Sequence, residues 1–104
     1  MKTTLIIAMA LISLAGQAQG VVYNSIGFQY TPFIQAVCTE LEISADIYVV
    51  PTDKPVNGFV TKNGFGGYVI FVNTTSEADE SIKLIIAHEL LHISDDIKGV
   101  WDID

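Results

Sequence analysis

His88 and His92 are the two histidines of the chain, and they stand four residues apart with Glu89 directly after the first. Residues so spaced on a helix lie one turn apart on one face, so both imidazoles can offer ring nitrogens to one zinc ion at ~2.0–2.1 Å. With about 100° per residue and His88 as zero, His92 falls at about 40° and Glu89 at about 100°. The carboxylate then stands beside the metal rather than on it. There it can take a proton from a water whose pKa zinc lowers to about 7 and pass that proton to a leaving amine. This is the H-E-x-x-H pattern of zinc-dependent peptide-bond hydrolysis. The competing explanation is two imidazoles and a carboxylate satisfying one another in a metal-free core, which requires burying a charge-bearing group among isoleucines.

A catalytic zinc takes three protein ligands plus water, and no third histidine exists. Asp95 and Asp96 flank the histidines on the helical wheel at about 340° and about 80°, up to two turns further along the axis. Beyond Gly99 the chain can fold back and bring Asp102 or Asp104 toward the metal. Asp96 ranks first as a residue near the site and Asp102 first as a fold-back ligand; the alternative for all four is an acidic tail or support for an imidazole N–H. Tyr23, Tyr30 and Tyr68 qualify as oxyanion-stabilising partners by residue type alone.

The motif needs a helix, and the pattern predicts one over 77–98, with Ser76 and Asp79 as a capping box, acidic residues in the first turn and Gly99 as the stop. Its isoleucines and leucines cover nearly every direction around the middle, which predicts packing on most sides. A second helix is predicted over 32–42, with Thr31 as N-cap and Pro32 in the first turn. Phe33, Val37 and Leu41, with Ile34 and Cys38 beside them, make its buried face. Between the helices, β-branched runs at 46–50 (stopped by Pro51), 57–61 and 68–72 read as short strands, with a turn at Asn63-Gly64 and flexibility at Gly66-Gly67. Residues 21–30 read as a short extended segment. Together these predict an α+β domain in which a short three- or four-stranded sheet packs on a packing helix and an active-site helix.

Residues 1–18 have the form of a signal peptide: Lys2, an apolar core over 5–15, and small residues Gly16 and Ala18 ahead of the cut, with cleavage after Gly20 as the alternative. That predicts export, to a periplasm or outside the cell, of a domain spanning 19–104. No stable membrane insertion is expected after cleavage, because the core is shorter than the ~20 apolar residues of a span. The exported part holds four lysines, no arginine and twelve carboxylates. Such a surface repels phosphate backbones, so nucleic acid is not an expected partner. The single cysteine, Cys38, excludes an internal disulfide and reads as a small buried hydrophobe.

The order of the elements adds a resemblance. A helix, then Ile47-Tyr48-Val49-Val50, Pro55-Val56-Asn57-Gly58-Phe59, Gly66-Gly67-Tyr68-Val69-Ile70-Phe71-Val72 and Ile86-Ala87-His88-Glu89-Leu90-Leu91-His92 resembles the core of the gluzincin metallopeptidases that include the CAAX prenyl proteases and the HtpX-type heat-shock proteases. It covers roughly 32–97. The resemblance implies a small zincin-like domain with zinc on His88 and His92, and Glu89 as general base. It also implies a peptide or protein substrate paired with a sheet edge at Tyr68, Val69 and Ile70. Gly58 stands where that family has alanine, and the family's third ligand, a glutamate from a later helix, has no counterpart after the H-E-x-x-H helix. Two expectations follow beside a metalloendopeptidase. One is a catalytically inactive or incomplete zinc-binding module that recognises a protein partner. The other is an oligomer in which the missing ligand is supplied in trans.

Overall fold

A computed structural model describes residues 20–75, 78–100 and 103. The signal-peptide segment, the Ser76 cap and Glu77, and the tail positions Asp102 and Asp104 lie outside the described residues. The elements run β1 (Val22–Asn24), a 3-10 turn (Phe28–Tyr30), α1 (Thr31–Glu40), β2 (Ile47–Thr52), β3 (Gly58–Lys62), β4 (Tyr68–Asn73) and α2 (Asp79–Ile97). The fold is α+β as expected, with a four-stranded mixed sheet in the order β1-β2-β4-β3. β1 and β4 both run parallel to β2, and β3 is antiparallel to β4.

The two central strands, β2 and β4, each bury one face. Ile47 and Val49 of β2 and Tyr68, Ile70 and Val72 of β4 are buried, while the residues between them are half-buried. That period of two places one side chain set against the helices and the other on the open face. The open face carries two cross-strand aromatic stacks, Tyr23 on Tyr48 and Phe59 on Phe71, with centroids 4.4 and 4.5 Å apart. On the covered face, Ile34 and Cys38 of α1 and Ile82, Ile86, Leu90 and Ile93 of α2 complete one core cluster. Burial pushes the Cys38 thiol up to about 11, in keeping with a small core hydrophobe.

Several local expectations change. Thr31 is inside α1 rather than its cap, and its hydroxyl accepts from Asn24 Nδ2 at 2.9 Å. The helix ends two residues early because Glu42 takes a left-handed conformation (φ 57). Ile43 N–H and Glu42 N–H then reach back to the Cys38 and Thr39 carbonyls, closing the end and burying Ile43. Pro51 does not stop β2. Ile47 and Val49 bond toward β1, so alternation points the Pro51 nitrogen the same way, past the end of β1 where no ladder donor is needed.

α2 begins at Asp79 rather than at residue 77, with no side-chain cap on its N-cap residue Ala78. Tyr30 OH donates to Asp79 Oδ1 at 2.5 Å and ties the starts of the two helices together. At the other end Gly99 (φ 77) donates to the Asp96 carbonyl and Val100 to the Asp95 carbonyl, the paired bonds of a glycine-terminated helix. α2 is also less enclosed than its composition implies. Leu84 is 71% exposed, Leu91 50% and Ile97 48%, so the helix packs on one side only. No helix among the described residues is long and apolar enough to cross a membrane.

Candidate metal and hydrolytic site

The buried stripe of α2 runs Ile82, Ile86, Glu89, Leu90, Ile93 and Ser94, which sets the helix rotation. Fully burying an isoleucine or leucine is worth ~1.5–3 kcal/mol, so these residues fix that rotation firmly. With it fixed, His88 is exposed, His92 half-buried, and Glu89 lies at the border between core and cleft at 7% exposure. The imidazoles meet edge to face, with their Nε2 atoms 3.0 Å apart. As neutral rings they share one proton across that gap; one ion bonded at ~2.0–2.1 Å to each nitrogen also spans it.

Glu89 sits against β3. A cleft of about 450 Å³ is lined by Asn57, Gly58, Leu84, Ile85, His88 and Glu89. Burial raises the Glu89 carboxyl above its usual range, and the two neighbouring imidazoles oppose that rise. Gly58 is required by close approach: a Cβ there would stand 2.5 Å from Ile85 Cγ2 and 3.8 Å from Glu89 Oε2. Asn57, whose carbonyl accepts from Asn73 N at 2.9 Å, stands at the β3 end of the cleft. Neither residue is distinguished by type or spacing as part of the site, because the helix–strand contact that places them is long-range.

The sheet order moves the expected substrate edge. β4 lies between β2 and β3, so Tyr68, Val69 and Ile70 have strands on both sides and cannot receive another. The edge beside the cleft is β3. Asn57 O and Asn63 N bond toward β4, so by alternation the main-chain groups of Gly58, Val60 and Lys62 point outward along the free edge.

Asp96, ranked first near the site, is held away from the histidines by other partners. Asp96 Oδ2 accepts from Tyr68 OH at 2.5 Å and pairs with Lys62 Nζ at 3.5 Å, and Oδ1 accepts from Ile103 N at 2.9 Å. The Tyr68 bond, then the Ile103 bond, hold its carboxyl below the usual range. Among the described residues no group of three His, Cys, Asp or Glu gathers around an ion position. Of the tyrosines, Tyr68 OH donates to Asp96, Tyr30 OH to Asp79, and Tyr23 stacks on Tyr48 on the open face, so none lines the cleft. Two imidazole nitrogens and an adjacent carboxylate are donors that suit zinc, and His88 and His92 are the described residues that would hold it.

Comparison with protein-family models, with curated proteins and with solved structures gives no match.

Proposed function

We propose that the chain is a zinc-dependent peptidase in which His88 and His92 hold the metal and Glu89 is the general base. The observation that carries this reading is the convergence of the two Nε2 atoms to 3.0 Å at the mouth of a cleft that also holds the Glu89 carboxylate. Zinc bound there supplies a Lewis acid for the scissile carbonyl and acidifies a water. Glu89 removes a proton from the attacking water onto its carboxylate and later hands it to the leaving amine. Its partial burial makes it a stronger base than an exposed glutamate. The outward main-chain groups of Gly58, Val60 and Lys62 pair with an extended peptide and lay it across the cleft. Asn57 offers an amide donor at the same end.

A second reading has an observation of its own: no third ligand among the described residues. On that reading the site is an incomplete zinc module and the β3 edge recognises a protein partner without cleaving it. Peptide-library cleavage by zinc-loaded chain decides between them. The peptidase reading expects turnover that Glu89→Gln abolishes while zinc content is unchanged. Equal, background-level cleavage by both proteins rejects it.

A further inference from the structure

The stripe of α2 that faces away from the sheet runs Glu80, Leu84, His88, Leu91, Asp95 and Lys98, at steps of three and four residues. Glu80, Leu84, His88, Leu91 and Lys98 are exposed and Asp95 is half-buried. The histidine pair stands at the middle of this stripe with exposed leucines on either side of it. An ion on the pair has two protein donors among the described residues, whereas zinc takes four.

From this stripe we infer that a second copy of the chain covers it, antiparallel about a two-fold axis through the histidine pairs, so that His88 and His92 of both copies share one zinc ion. A two-fold axis turns two donors into four without any other residue, and only a pairing centred on the histidines superimposes the two half-sites. The charges agree with that direction. Antiparallel packing sets Glu80, in the acidic first turn of one helix, against Lys98 at the end of the other, and opposes the two helix dipoles.

The metal is needed for the assembly. A 19-residue helix offers a strip ~28 Å long and ~10 Å wide, about 600 Å² over both copies, against the ~1,200–2,000 Å² of a stable interface. Each chain also carries a net charge of −7, so metal-free copies repel. The inference rests only on the part of the proposed function that puts zinc on His88 and His92. Leu84 and His88 line the cleft, and four nitrogens leave the ion no open position. The shared-ion pair is therefore a latent form in which Glu89 is closed off from substrate.

The test is mass by light scattering, with bound metal counted, as the full chain is titrated with zinc sulfate. The expected result is a monomer in chelator that doubles in mass and saturates at one zinc per two chains. Glu80→Lys and Lys98→Glu each weaken the doubling, by about five-fold for two lost surface pairs, and the double variant restores it. These positions are exposed, and unchanged circular dichroism verifies their fold. A monomer that binds one zinc per chain overturns the shared ion and leaves the metal reading standing. Doubling without zinc, or a double variant no better than either single one, also overturns it. Absence of zinc binding removes the metal reading itself.

Discussion

Asp96 separates a ligand from an anchor. Its two carboxylate oxygens hold Tyr68 OH and Ile103 N, from a buried strand residue and the returning tail. Replacing it by Asn leaves one acceptor oxygen for two donors. One donor, attached to a residue no more than 7% exposed, is orphaned, at a cost of about 1–3 kcal/mol. The lost pair with Lys62, whose side chain is 48% exposed, adds only a few tenths of a kcal/mol after solvent screening. A total of about 2 kcal/mol lowers Tm by about 8–16 °C in a domain of this size. Asp96→Asn is therefore expected to melt early and to bind zinc with the wild-type constant. Thermal melts in chelator give the first quantity and competition with a chromophoric chelator the second. A ten-fold loss of zinc affinity with an unchanged melt in chelator would refute the assignment and make Asp96 a ligand.

The same contact contributes to the pH dependence of stability at both ends. The depressed Asp96 carboxyl contributes stability above its ordinary 3.8, lost as pH falls through its lower folded value. Tyr68, raised from 10.0 to about 12 by burial and then by Asp96, contributes fully below 10 and loses its contribution as pH climbs toward 12. Urea midpoints across pH should show both losses in the wild type and a smaller acid loss in Asp96→Asn. Chelation of zinc-saturated chain should lower Tm by about 10–20 °C, since ligand at a hundred times Kd adds about 2.7 kcal/mol; superimposable melts would argue that the folded state holds no metal. Gly58→Val drives a side chain into Ile85 beside Glu89. It should cost about 1–3 kcal/mol by overpacking and raise KM for peptides, and wild-type values of both would show that the cleft is wider than described.

The meeting of His88 and His92 was legible because helix periodicity is local: a spacing of four puts two histidines on one face in any α-helix. The third dimension was not. The Asn63-Gly64 turn announces the β3–β4 hairpin, but nothing near Tyr68 reveals that β2 lies along its other side in parallel. The edge therefore went to the wrong strand. Pro51 misled for a related reason, since whether a strand tolerates proline depends on where its neighbour ends. In α2 the abundance of Leu and Ile spoke for burial all round, yet Leu84 and Leu91 are exposed. Composition records what a helix could bury and not what stands next to it. The role of Asp96 depends on Ile103 reaching the core, a long-range contact that nothing in the local sequence announces.

The fold contributes a constraint that the motif alone lacks. H-E-x-x-H fixes about 100° between His88 and Glu89, but it does not say which of them meets solvent. Rotating α2 by one residue would carry Glu89 to the exposed position of His88, as an ordinary acidic side chain, and His88 to the half-buried position of Ala87. Ile82, Ile86, Leu90 and Ile93, each no more than 4% exposed, prevent that rotation. Gly58 lets the helix come close enough to β3 for Glu89 to reach the cleft while its burial raises its pKa. The isoleucine stripe thus acts on the chemistry through helix register. Weakening it, as Leu90→Ala would by about 2–5 kcal/mol, loosens the placement of Glu89, the proposed base, before it touches either histidine.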